Sequence, residues 1–338
     1  MLDTNLSSNE LSEPSSVYEE SLRLPWPDWF PPVYVHSPYG FPNHNWGTYH
    51  SDPDVRIAKN SMPPEHNLQE ALVASDRIME TYLREESLKG IASNLCGQTT
   101  YVVSPVKPSY PRGNVLARAF AEAVANELGL RMASGIYQTP RMKRDKKTDF
   151  FVRLSHPTEF FSDPSKKIED IIIPGADYII ADDVLTYGGT LAGLRAFIEC
   201  HGGRVICMTA LAGMPAAWRA RCLKGLSKQQ IANYAGTIFG SPPGEFPIAV
   251  AEAVRSQLEL YKGGVFQGFF EKELGYGINC FTQREAVGIL RQLTSNQGDF
   301  SLDLWRERII RARGKSHGDS SCPLSTSDAA EQLLCCDH

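Results

Sequence analysis

Residues 178–190 run Tyr178-Ile179-Ile180-Ala181-Asp182-Asp183-Val184-Leu185-Thr186-Tyr187-Gly188-Gly189-Thr190. The apolar run Tyr178–Ala181 is short and follows Pro174-Gly175, the pattern of a buried parallel strand, whereas Leu191, Leu194, Phe197 and Ile198 recur at helical spacing. The predicted order is a strand ending in two adjacent carboxylates, a glycine turn bounded by Thr186 and Thr190, and a helix from Thr190. A loop between a strand's C-terminal end and a helix's N-terminus favours a phosphate, because unpaired N–H groups and the positive end of the helix dipole point into it. Gly188 and Gly189 let the backbone approach such a ligand without Cβ obstruction. Asp182 and Asp183 are acceptors suited to a vicinal diol, and they stay ionised beside a metal cation or a developing positive charge. The stretch predicts a sugar-phosphate cradle.

The nonamer Asp182–Thr190 resembles the PRPP-binding motif of type I phosphoribosyltransferases. The resemblance implies that Asp182 and Asp183, the candidate catalytic residues, hold the ribose 2′ and 3′ hydroxyls of 5-phosphoribosyl-1-pyrophosphate (PRPP). It also implies that Val184, Leu185, Thr186, Tyr187, Gly188, Gly189 and Thr190 wrap the 5′-phosphate. Two positions depart from the pattern: Ala181 stands where a larger aliphatic is usual, and Tyr187 where a small residue is. Neither departure removes a backbone donor.

Thr99–Pro105 reads as a second buried strand, followed by Val106-Lys107-Pro108-Ser109-Tyr110-Pro111-Arg112-Gly113-Asn114 and a helix. The predicted apolar face of that helix is Leu116, Ala119, Phe120, Ala123, Val124 and Leu128, with a stop at Gly129. The segment is similar to the first strand, pyrophosphate loop and first helix of the same family. Its Arg112-Gly113-Asn114 is most similar to the ComF-type branch, one residue shorter. Val106, Lys107 and Arg112 are then the pyrophosphate-binding candidates, with the two cations neutralising the anion; read alone, Lys107 and Arg112 are equally well two solvated surface charges.

Five cations fall within residues 141–147: Arg141, Lys143, Arg144, Lys146 and Lys147. Such a run is not core. Read alone it is a solvated loop or a nucleic-acid patch; the resemblance implies instead the mobile basic loop that closes over pyrophosphate in type I phosphoribosyltransferases.

The chain has 338 residues, 42% of them hydrophobic and 22% charged, enough for one large or two modest cores. A net charge of −5 does not invite nucleic acid over the surface as a whole, so only the basic run would do so locally. Uninterrupted apolar stretches fall short of the roughly 18 residues that suggest a membrane span. Met1–Leu22 is polar and acidic rather than basic then apolar, and the expected compartment is the cytoplasm, with no membrane partner. Eight cysteines show no Cys-x-x-Cys; Cys200, Cys207 and Cys222 read as small buried hydrophobes, and disulfides are not expected there.

Residues 1–22 and 314–338 read as disordered tails. Residues 23–98 form an arm and helix, 99–213 the core sheet, and 214–313 a helical extension or hood. The arm is rich in Pro and aromatics and carries His36, His44 and His50, whose spacing matches no local metal-ligand pattern. It is expected to pack its aromatics on the main domain or to contribute to an acceptor pocket. From residue 67 a helix is predicted with Leu68, Leu72, Ile78 or Met79, and Tyr82 on one face, breaking near Gly90. Farther on, helices are predicted over 227–235, 247–261, 283–293 and 302–312, with a capping box at Thr282-x-x-Glu285. The fold class is α/β, a parallel sheet flanked by helices.

The resemblance implies phosphoribosyl transfer from PRPP to an unidentified base or amine, with pyrophosphate leaving from C1 and Mg²⁺ held chiefly by the substrate rather than by the protein. It leaves a homodimer open. Thr186 stands where purine-salvage relatives often have an acid, so no general base is assigned. Two other functions remain open: a PRPP- or nucleotide-binding regulator or stress effector on the same fold, and a nucleic-acid-interaction protein using the Arg141–Lys147 run.

Overall fold

The computed structural model describes residues 23–26, 31–38, 49–60, 68–107, 114–139, 150–213, 265–282 and 301–314, together with Glu285 and Ile289. Five strands, β1 (Val33–Pro38), β2 (Thr100–Val103), β3 (Arg131–Met132), β6 (Asp177–Leu185) and β7 (Arg204–Gly213), form one sheet in the order β1-β7-β6-β2-β3. Every neighbouring pair is parallel. The strands' C-terminal ends therefore share one edge, where ligands bind in open parallel sheets.

The central strand β6 is buried on both faces, which explains its continuous apolar reading. Ile179 and Ala181 join a core with helices α1 (Pro53–Lys59), α2 (Leu68–Tyr82), α3 (Glu85–Ala92) and α4 (Leu116–Leu128), while Tyr178 and Ile180 join a second core on the opposite face. That second core contains Leu191, Leu194 and Ile198 of α7 (Gly189–Cys200) and Ile171 of the short helix α6 (Ile168–Ile171). Successive side chains of a strand point to opposite faces, so one sequence serves both.

Strand β1 was not foreseen: the arm does more than pack aromatics, because Val33-Tyr34-Val35 pairs with β7 as the edge of the sheet. In α4 the buried face is Leu116, Ala117, Phe120, Ala121, Val124 and Ala125, rotated from the predicted face so that Ala119 and Ala123 are only half-buried. Its C-cap is Gly129 at φ 65°, as predicted. In α2 the buried positions are Ala71, Ala74, Ser75, Ile78 and Tyr82, and Leu68 and Leu72 are exposed. The helix break falls at Leu83-Arg84, and Gly90 lies inside α3 because a Cβ there would overlap the Tyr34 ring.

A third core joins α5 (Phe150–Ser155) to α8 (Val265–Leu274) and α9 (Leu302–Gly314): Phe151, Leu154, Phe266, Phe270, Phe281 and Trp305 are its centre. Helix α5 emerges from the basic run, whose residues 140–149 lie outside the described ones, and the run is flanked by the antiparallel pair β4 (Ile136–Gln138) and β5 (Phe160–Ser162). The predicted helices at 227–235 and 247–261 lie outside the described residues, as do both tails except Gly314; α8 was not foreseen. Cys207 is buried as expected, whereas Cys200, at the end of α7, is exposed. Among the described residues, no helix is long and apolar enough to cross a membrane.

His36 of β1 is a buried core histidine. Thr209 Oγ1 donates to the Tyr34 carbonyl (3.1 Å) and accepts from His36 Nε2–H (3.2 Å), while Nδ1 accepts from the Arg84 N–H (2.9 Å). Burial, and secondarily the Arg84 charge, push its pKa down to about 3. The unfolded chain binds a proton near pH 6.5, so it takes up protons that the folded chain refuses between these values. Stability is full above about pH 6.5 and falls as pH drops toward 3, at up to about 1.4 kcal/mol per pH unit. The melting temperature is expected to fall between about pH 7 and pH 4, and His36→Gln should flatten that slope; an unchanged slope would assign it to other groups.

Candidate active site

Strand β6 carries the acidic pair, as predicted, and runs two residues beyond it to Leu185. The loop that follows is Thr186-Tyr187-Gly188, and α7 begins at Gly189 with Gly188 as its N-cap at φ 77°, a conformation that favours glycine. The predicted phosphate-binding residues 184–190 thus form the end of a strand, a turn and the first turn of a twelve-residue helix.

Both carboxylates are 8% exposed. Asp183 Oδ2 is 2.7 Å from Lys59 Nζ, at the end of α1, and accepts from Asn114 Nδ2 at 3.2 Å. Asp182 turns back along the strand, its Oδ1 accepting from the Asp183 N–H at 2.8 Å. The two acids are not equivalent. Burial and the adjacent Asp183 charge push Asp182 well above the ordinary carboxylate range. Burial acts on Asp183 in the same sense but is outweighed by the Lys59 ammonium, then by hydrogen bonds from Lys59, Asp182 and Asn114, so its pKa is lowered. Lys59 thus favours the charged form of Asp183, whereas burial beside that charge disfavours the charged form of Asp182. Such a pair offers adjacent hydroxyls an anionic acceptor at Asp183 and, whenever Asp182 holds a proton, an O–H donor beside it.

Lys59 was missed because nothing in its local sequence separates it from a solvated helix-end lysine. The structure places it over the Tyr49 ring at 5.6 Å, and Tyr49 O–H lies 3.5 Å from the Asp183 carbonyl oxygen. Lys59→Met is expected to raise the Asp183 pKa, read by carboxyl NMR titration; an unmoved titration would show that burial and Asn114 suffice.

On the neighbouring strand, β2 ends at Val103 and leads into Ser104-Pro105-Val106-Lys107. Val106 makes a parallel bridge to Tyr137, which fixes the course of this loop, and Lys107 is exposed. Arg112 lies outside the described residues, as do Arg141, Lys143, Arg144, Lys146 and Lys147. Ser104 is 3% exposed and its hydroxyl has no hydrogen-bond partner among the described residues, an uncommon state for a buried polar group. Sequence reasoning passed over it because serine in a strand end carries no signal.

The Thr186–Gly188 loop is packed by residues from two distant parts of the chain. Arg23 and Glu285 form a buried pair (Nη2 to Oε1, 2.8 Å; side chains 1% and 4% exposed) beside Gly189. Thr282 Oγ1 donates to the Tyr187 carbonyl at 2.6 Å, and the Arg153 guanidinium lies 5.3 Å from the centre of the Tyr187 ring. Losing either member of the Arg23–Glu285 pair would strand a buried charge, at a cost of about 3–5 kcal/mol. Trp26 stacks under Arg195 of α7 at 4.5 Å, so the arm also braces the helix that follows the loop.

No family model matches the chain. It is similar to Protein TraN of Escherichia coli, 26% identical over 303 residues that cover 89% of this chain and 54% of that protein. It is also similar to the adenine phosphoribosyltransferase of Clostridium tetani, 32% identical over 82 residues, 24% of this chain and 48% of that one. The chain spans about half the length of these curated relatives. Among solved structures, the adenine phosphoribosyltransferases of Leishmania donovani (18% identity, 60% of this chain and 80% of that one, TM-score 0.25) and Leishmania tarentolae (20% identity, 52% and 82%, TM-score 0.23) are similar. The fold is an α/β parallel sheet flanked by helices.

Proposed function

We propose that this protein binds PRPP and transfers its phosphoribosyl group to a base or amine, releasing pyrophosphate. The observation that carries the reading is the acidic pair at the C-terminal end of the central parallel strand, followed directly by the Gly188-Gly189 turn and the N-terminus of α7. Ribose hydroxyls are addressed by Asp182 and Asp183, and the 5′-phosphate by the N–H groups and dipole of α7. As the C1–O bond breaks, its electron pair leaves on pyrophosphate and positive charge develops on the ribose. The acceptor nitrogen's lone pair then forms the new C1–N bond, and its proton passes to solvent. The buried Asp183 carboxylate stabilises the cationic ring, and Ser104, with Lys107, faces the leaving group at the neighbouring strand end.

Among the described residues, no three His, Cys, Asp or Glu side chains cluster to hold a metal. The hard oxygens of pyrophosphate and of Asp182 suit Mg²⁺, which in this reading arrives with PRPP and neutralises the leaving group. The ComF-type affinity of the Arg112-Gly113-Asn114 loop, the identity of the acceptor and a homodimeric state belong to the same proposal.

Pyrophosphate release from PRPP, measured across a panel of bases and amines, tests the reading. Release with at least one acceptor supports transfer. PRPP binding without release from any acceptor would favour the second reading, a PRPP-binding regulator on the same fold. Failure to bind PRPP would overturn both.

A further inference from the structure

Thr282 and Glu285 form the capping box that the sequence predicts: Thr282 N–H donates to Glu285 Oε2 (2.9 Å), and Glu285 N–H donates to Thr282 Oγ1 (3.2 Å). A cap has no need of a loop nearly a hundred residues earlier, yet this one is set against it. The Thr282 methyl lies 3.3 Å from where a Cβ on Gly188 would stand, and Glu285 Oε1 lies 3.2 Å from the equivalent point on Gly189. Arg23 reaches the same place from the other end of the chain, its Nη2 3.0 Å from that point. Its guanidinium is held by both Glu285 oxygens (2.8 and 3.5 Å) and lies 5.5 Å from the centre of the Tyr276 ring.

A carboxylate beside Gly189, gripped by an arginine fork, has the sign and planar acceptor geometry by which the same fork would hold a phosphate at the neighbouring N-terminus of α7. We propose that Arg23 is a phosphate-binding residue of this loop, held by Glu285 until the phosphomonoester of an incoming ligand takes over its guanidinium. The inference rests on the reading of residues 186–190 as a phosphate seat, and it adds a ligand and an internal competitor to that seat. A phosphate dianion presents three acceptor oxygens and more charge than a carboxylate, so the exchange strengthens the arginine's interaction. Glu285 retains the Thr282 N–H as a partner after the exchange, so releasing the arginine does not leave its carboxylate stranded. Ligand arrival at the loop is thereby linked to the contacts that Arg23, Thr282 and Glu285 make with it.

The test is calorimetric titration with ribose 5-phosphate and with inorganic phosphate at fixed ionic strength. Relative to wild type, Glu285→Gln is expected to bind at least about tenfold tighter, because the competitor loses its charge, and Arg23→Gln at least about tenfold weaker. Since Arg23→Gln leaves Glu285 without its cation, the double variant Arg23→Gln/Glu285→Gln, which keeps a neutral hydrogen-bonding pair of similar size, secures a folded comparison; it should bind as weakly as Arg23→Gln. A folded double variant that binds like wild type, or a Glu285→Gln variant with unchanged affinity, overturns this inference while the phosphate seat stands. Absence of binding in wild type and Glu285→Gln alike overturns the seat itself and the inference with it.

Discussion

Replacing Asp182 and Asp183 together by asparagine is expected to lower phosphoribosyl turnover on the order of 10²–10³-fold, more than it weakens PRPP binding. The reason lies in the division of labour between the two acids. Asp183 is the charged member, held ionised by Lys59 at 2.7 Å, and its charge is what a cationic ribose transition state would feel most strongly. Asparagine preserves the hydrogen-bond acceptor that Lys59 and Asn114 use, so the ground-state structure at the end of β6 should survive. Steady-state kinetics beside PRPP titration check it. Equal losses in turnover and affinity would mean that the pair binds ribose without favouring the transition state. A drop in melting temperature with unaltered turnover would mean that the acids serve the strand alone.

The single variants should divide the effect unequally. Burial and the neighbouring charge disfavour the anion at Asp182, whereas Asp183→Asn removes the carboxylate that Lys59 favours in its charged form and leaves that ammonium without its counter-charge. The larger share of the loss is expected from Asp183.

The parts of this arrangement that were legible in the sequence are those in which local chemistry and local structure coincide. Tyr178–Ala181 is apolar because β6 is buried on both faces, and Gly188 is a glycine because the N-cap of α7 sits at positive φ. Thr282 and Glu285 were readable as a cap because the reciprocal bonds span only three residues. Their second role was hidden, because contact with Tyr187 and Gly189 depends on how the chain returns. Lys59 and Arg23 were hidden for the same reason: each is an ordinary cation in its own segment and acquires meaning only from a carboxylate more than a hundred residues away. Strand β1 was a different omission. Val33-Tyr34-Val35 has the β-branched and aromatic content of a strand, but the surrounding prolines and aromatics drew the reading toward an irregular arm. The rotated faces of α2 and α4 follow from small residues: Ala71, Ala74, Ala117 and Ala121 are buried because the helices approach closely there, where a search for large apolar residues favours Leu68 and Leu72.

Glycines at two helical positions should respond in opposite directions to an added side chain. Gly193 lies in α7, where a Cβ would overlap the carbonyl oxygen of Thr158 and stand 3.5 Å from the Phe160 ring. Backbone cannot rotate aside as a flexible side chain does, so Gly193→Val must push α7 from the segment entering β5, against the packing of Leu191, Leu194 and Ile198 on the sheet. A loss of about 3 kcal/mol is expected, toward the upper end for overpacking, and with it a fall in melting temperature of roughly 5–10 °C. Because the proposed phosphate seat lies at the N-terminus of α7, the same displacement should weaken ribose 5-phosphate binding. Gly268, in α8, has nothing within 4 Å of its would-be Cβ and lies on an exposed face. There the helical backbone suits alanine, and Gly268→Ala should stabilise by about 0.5–1 kcal/mol by restricting the unfolded chain. Thermal melts of the two variants side by side decide the matter: a neutral Gly193→Val would mean that α7 does not pack closely on Thr158, and a destabilising Gly268→Ala would mean that this face of α8 is covered.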